Sequence, residues 1–376
     1  MKYIIRHFIL TIIIFTSVCV SAQKEVNQYD PISTFERGVM LFNNKHYGGA
    51  LDCFEQYLSS PEKKDAQDLM MAKYYEAASS LYLNNSKGET KIITFIKENP
   101  TCIMTDHAKF LYANHLFNNK KYRNATKTYD EINTKYLNKE EQIECRYKQG
   151  YCHYQTQEIE EACSIFKEVS QQNSPYRDDA QYYYAHIQYT NGNKEEAYES
   201  FHKLKNSSKY KDIAELYITQ INYDKGKYEE VIKNGDNVLG KVDKNRNTEL
   251  ALMIAESWFQ QGDYSKSLEY YDIAKSNTRR QMPREVEFKI GFCKMKGSDF
   301  EGAIAHFEEV TDSDDELSQY ASYYMAQCYS NIGEDKFARN TFYKAYKSGF
   351  NDSISENALF NYAALSFIPG IDPFNE

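Results

Sequence analysis

The sequence predicts an all-α chain, an α-solenoid of helix–turn–helix repeats with about nine units and a partial tenth. Three observations carry this. A pair of small residues twelve positions apart recurs every 34 to 40 residues along nearly the whole chain. Glycine (16) and proline (7) are sparse among 376 residues, which favours helices over a turn-rich β-fold. Hydrophobic residues make up 41% and charged residues 26%, enough apolar material for a folded core.

Residues 1–22 read as a secretory signal peptide. Lys2 and Arg6 form a short basic start. Phe8 to Val18 is an apolar run of eleven residues, well short of the ~20 that a spanning helix needs. Val20-Ser21-Ala22 then offers a small-residue cleavage site before Gln23. Lipid attachment at Cys19 is the alternative, but Val18 stands where such signals want a small residue. Residues 23–33 form a leader, and 34–376 the solenoid. No later segment is long and apolar enough to span a bilayer, so the mature chain is expected to be exported and soluble, free in the periplasm or held at the outer membrane. The net charge is −9, and no Lys/Arg stripe appears, which argues against nucleic acid as a partner.

The repeat is a small residue, a second one twelve positions on, and aromatics usually three before and four after the second. Gly38, Tyr47, Ala50 and Phe54 make the first copy; Ala113, Tyr122, Ala125 and Tyr129 make another. Gly150, Ala162 and Phe166 follow, then Ala185, Ala197 and Phe201. Ala255, Ser267 and Tyr271 come next, then Gly291, Ala303 and Phe307, and Ala326, Ala338 and Phe342. Copies around Ala78 and Thr90, and around Thr219 and Val231, are weaker. Short polar breaks such as Asn118-Asn119-Lys120 and Asn191-Gly192-Asn193 part the two helices of a unit. The small pair lets the helices pack closely, and the aromatics fill the space between hairpins. A single hairpin cannot bury its faces, so the units must stack.

The copies FERGVMLFNNKHYGGALDCFEQYL and FKIGFCKMKGSDFEGAIAHFEEV resemble the tetratricopeptide repeat, a helix–turn–helix unit near 34 residues. The tryptophan of that pattern is absent from the first helices, and its closing proline is met only near Pro61, Pro100 and Pro175. With the signal peptide, and a composition rich in Asn, Lys, Ile and Tyr, the chain is similar to exported repeat proteins of Bacteroidetes-type bacteria. Those resemble the periplasmic repeat protein of the Tol–Pal system. The resemblance implies a non-enzymatic scaffold for protein–protein interaction in the cell envelope.

Residues 356–367 read as the first helix of a tenth unit. With no second helix after it, Phe360, Tyr362, Leu365 and Phe367 are expected to leave apolar surface at an open end. Either this helix and its tail form the cap, or the array is truncated here; the second is favoured, because nothing resembles a capping helix.

Motifs of catalysis are missing: no H-E-x-x-H, C-x-x-C, G-x-S-x-G, Walker A or G-x-G-x-x-G occurs. No catalytic, metal or cofactor residue is assigned. Cys145, Cys152, His153 and Cys163 match no zinc spacing, and the seven mature cysteines read as small buried residues. Asp352-Ser353-Ile354 is similar to a short O-glycosylation motif and equally to a helix start.

Binding is expected on the inner helices, at positions three before, one after and four after each first small residue. This gives Tyr147, Tyr151 and Tyr154 in one unit, Tyr182, His186 and Tyr189 in the next, and Tyr223 beyond, with Phe110, Asn114 and Phe117 before them. A tyrosine supplies area and a hydroxyl at low entropic cost. The same rings serve equally well as packing between hairpins. The favoured partner is a protein or peptide of the cell envelope. The alternatives are glycan or peptidoglycan strands, for which a lone Trp258 is a poor sign, and a role as the periplasmic sensing half of a longer membrane receptor.

Overall fold

A computed structural model describes residues 33–61 and 64–367. The signal peptide, nearly all of the leader and the tail after Phe367 lie outside the described residues. Among these there are nineteen α-helices, one 3-10 turn and no strand. They fall into two compact units, one up to Arg177 and one from Asp178.

The first unit holds four hairpins. They are α1 (Thr34–Asn43) with α2 (Tyr47–Ser59), α3 (Ala66–Tyr82) with α4 (Gly88–Glu98), α5 (Ile103–Asn118) with α6 (Tyr122–Asp130), and α7 (Lys139–Gln155) with α8 (Ile159–Ser170). The second holds α9 (Arg177–Thr190) with α10 (Lys194–His202), α11 (Lys211–Asp224) with α12 (Tyr228–Gly235), and α13 (Lys244–Gln260) with α14 (Tyr264–Asn277). Then come α15 (Arg284–Lys296) with α16 (Phe300–Glu308), and α17 (Glu316–Asn331) with α18 (Asp335–Ser348). α19 (Asp352–Ser366) has no second helix among the described residues.

Polar side chains start many of these helices. Ser33 and Glu36 close a capping box on α1, and Asn138 and Glu141 close one on α7. Asn351 caps α19, so Asp352-Ser353-Ile354 is its first turn. Every three-residue turn within a hairpin puts its middle residue in the left-handed region. In the first unit these are Lys45, Lys120 and Gln157, and in the second Gly192, Gly226, Gly262, Ser298 and Gly333. Eight of the nine hairpins therefore share one turn geometry, and α3–α4 is the exception.

The small pairs do what their spacing predicts. Ala113 and Ala125, Ala185 and Ala197, and Ala326 and Ala338 are fully buried where the two helices touch. A Cβ added at Gly150 would meet Ile165 Cγ2 at 2.8 Å, and one at Gly38 would meet the Phe54 ring at 2.8 Å. Phe54, Phe166, Phe201 and Phe307 are fully buried. First helices of successive hairpins also touch: α1 with α3, α3 with α5, and α5 with α7. They thereby share one face.

Three expectations need correction. Thr90 is exposed and is no small anchor. The α3–α4 turn has five residues, which shifts the buried set to Gly88, Ile92 and Phe95. The last helix starts at Asp352, four residues earlier than expected. Phe360 and Phe367 are exposed as anticipated (72% and 87%), but Tyr362 and Leu365 pack on the Ala338–Phe342–Ala345 cluster of α18.

Candidate protein-binding groove

In the first unit a cavity of about 670 Å³ opens on the shared face of the first helices. Four successive hairpins contribute: Phe42 from α1, Tyr82 from α3, His107, Asn114 and Asn118 from α5, and Glu144 and Lys148 from α7.

Tyr82 ends α3. One face of its ring stacks on Tyr47, centroids 4.3 Å apart at 10°, and the residue remains 46% exposed. Burial, then Tyr47 and the Glu141 and Glu144 carboxylates, push its phenol up to about 12, so it stays protonated as a hydrogen-bond donor. His107 ties three hairpins together. Its Nε2 lies 3.0 Å from Glu141 Oε1, and its Nδ1 meets the Tyr74 hydroxyl. Tyr74 is almost fully buried, so this strut fixes the groove wall.

Lys148 donates to Glu144 Oε1 at 2.6 Å and to Asn114 Oδ1 at 3.0 Å, with its ammonium 5.2 Å from the Phe117 ring. The second unit repeats this. Lys289 donates to Glu256 Oε2 at 2.5 Å and lies 5.7 Å from the Phe259 ring. Both lysines stand two residues before a first small anchor, and both rings four after the preceding one. The lysine and ring positions are thus shared, while the carboxylate differs: Glu144 stands four before Lys148 on the same helix, and Glu256 one after Ala255 on the preceding first helix.

The predicted tyrosines divide between packing and surface. On α7, Tyr147 stacks on Tyr176 at 4.8 Å and 23°, and Tyr151 meets Phe117 and Tyr122 edge-on at 5.4 and 5.8 Å. Tyr154 lies 6.5 Å from Phe166. In the second unit Tyr182 stacks on Tyr210 at 4.7 Å, and both His186 and Tyr189 meet the Tyr217 ring edge-on. Burial lowers the His186 pKa, with Arg246 adding to the effect. Tyr223 lies 6.1 Å from Tyr228. All seven are half-buried, with part of each side chain open to solvent. None of Tyr147, Tyr151 and Tyr154 lines the cavity, although they share α7 with Glu144 and Lys148.

Sequence reasoning missed Tyr82, His107, Glu141, Glu144 and Lys148. The signal was present: four after Ala78 is Tyr82, and six before Ala113 and Gly150 are His107 and Glu144. The degenerate second copy hid the first of these.

Five cysteines, Cys53, Cys145, Cys152, Cys293 and Cys328, are buried. Burial pushes the Cys145, Cys152 and Cys328 thiols up to about 12. His153, between Cys152 and the turn, bonds Glu158 at 2.5 Å and lies 3.5 Å from Asp130. Among the described residues no group of three or more His, Cys, Asp or Glu is placed to hold a metal ion, and no helix is long and apolar enough to cross a membrane.

No curated protein matches this chain. Solved structures do. A tetratricopeptide repeat protein from Parabacteroides merdae is 14% identical, with a TM-score of 0.40, covering 77% of this chain and 99% of that one. The C-terminal part of a TPR repeat-containing protein from Cytophaga hutchinsonii is 14% identical, TM-score 0.43, covering 71% and 96%. YrrB, described as a TPR protein with an unusual peptide-binding site, is 14% identical, TM-score 0.41, covering 51% and 94%. Residues 144–174, most of the α7–α8 hairpin, match the family described as tetratricopeptide repeat, and the chain is an all-α solenoid of such helix hairpins.

Proposed function

We propose that this protein is a non-enzymatic scaffold of the bacterial cell envelope that holds a segment of a partner protein in the groove of its first unit. The observation that carries this reading is the cavity spanning four successive first helices, with Tyr82 half-exposed at one side and Asn114, Glu144 and Lys148 at the other. Such a surface offers area, donors and acceptors at fixed spacing along a line, which suits an extended chain. Support for the compartment comes from residues 1–22, with their basic start, apolar run and Val20-Ser21-Ala22 junction.

Cross-linking in intact source cells, followed by purification of the tagged chain and mass spectrometry, tests the reading. The comparison is with a Tyr82→Ala, Asn118→Ala variant that keeps the wild-type helical signal. One or two envelope proteins that depend on the groove residues are the expected result. A partner set unchanged in the variant contradicts it, and co-purifying saccharide in place of protein moves the glycan alternative ahead.

A further inference from the structure

Lys148 and Lys289 show what this repeat does with a cation: each ammonium lies against the ring four residues after a small anchor and bonds a carboxylate beside it. Tyr82 occupies the same ring position after Ala78, but the residue that would bring the lysine is Leu111. One face of the Tyr82 ring is covered by Tyr47, and the side chain is 46% exposed. Glu141 and Glu144 line the same cavity, against the single ammonium of Lys148. Their negative field reaches the ring, since both carboxylates help to hold its phenol protonated. The ring position is therefore repeated without its lysine, and the carboxylates facing the cavity come from α7, since the positions matching Glu144 and Glu256 are here His107 and Ser79.

We propose that the groove of the first unit takes an extended protein segment through a lysine or arginine side chain, seated on the exposed part of the Tyr82 ring and drawn by Glu141 and Glu144. This rests on the groove-binding reading above and names the chemistry of its partner. A desolvated cation on an aromatic face, helped by carboxylates, adds about tenfold or more to affinity.

The test is selection of displayed random dodecapeptides on the full mature chain, followed by binding measurements on the enriched peptides. The expected result is enrichment of Lys or Arg at one fixed position. Replacing that residue with alanine in the peptide weakens binding about tenfold, and so does Tyr82→Leu or Glu144→Gln in the protein. Glu144→Gln keeps the acceptor for Lys148, and circular dichroism with thermal unfolding confirms that both variants are folded. Enriched peptides without a basic position, bound in the groove and sensitive to Asn118→Ala, overturn this inference and leave the groove reading standing. No enrichment of any peptide overturns both.

Discussion

Gly150 and Ile165 show how little room separates the helices of one hairpin. A Cβ at Gly150 would lie 2.8 Å from Ile165 Cγ2 and 3.2 Å from Ile165 Cβ, the second of which cannot move without its backbone. Gly150→Val is expected to destabilise the first unit by about 1–3 kcal/mol through overpacking, read by urea unfolding. The buried thiols make a second residue-level test. Cys145, Cys152 and Cys328, held near 12 by burial, are expected to stay unreactive toward a disulfide reagent at pH 8 until the chain unfolds. Reaction of all three in the folded chain would show that the hairpins pack more loosely than described. The choice of small anchors was legible at this scale because close helix approach admits few residue types. Which tyrosines pack was not, because Tyr147 and Tyr182 are covered by Tyr176 and Tyr210, nine residues before the next first anchor, a position the small-and-aromatic pattern does not include.

The turn is the element on which the hairpins agree. Ser298 sits at φ 66°, where Gly192, Gly226, Gly262 and Gly333 stand in other hairpins of the second unit. A side chain there pays a steric cost that glycine avoids. Ser298→Gly is expected to raise stability by about 0.4–1 kcal/mol, and Gly262→Ala to lower it by about 1 kcal/mol, both measured by chemical denaturation. Asp315 joins two elements. It caps α17 through the Ser318 N–H at 2.9 Å and takes Arg284 of α15 at 2.7 Å. These contacts, Arg284 first, hold its carboxyl well below the usual range. A depressed native pKa gives stability that is present above the unfolded value, about 3.9, and lost as pH falls below it. Asp315→Asn is expected to flatten the acid limb of a Tm-against-pH curve below about pH 4. An unchanged limb would mean that the Arg284 bond is absent in solution. The five-residue α3–α4 turn was not legible, since Leu83-Asn84-Asn85-Ser86-Lys87 admits a turn of either length.

At the scale of the molecule, a hairpin within either unit touches chiefly its neighbours, so stability within each unit is expected to be a sum of local terms. The α-solenoid was legible from the period, because a constant two-helix spacing leaves stacked hairpins as the solution that buries every face. Hydrogen exchange is expected to be fast towards the end of α19, where Leu359, Phe360 and Phe367 are exposed. The groove was only half legible. The offset arithmetic finds its face, but the openness of Tyr82 goes with Leu111 standing where α7 and α15 carry Lys148 and Lys289. The claim that this groove holds a partner protein is tested most directly by a photo-cross-linking residue placed at position 82, with exposed position 127 of α6 as control, in living source cells. The expected result is a discrete protein adduct from position 82 and none from position 127. Equal adducts from both positions, or none from 82, would contradict it.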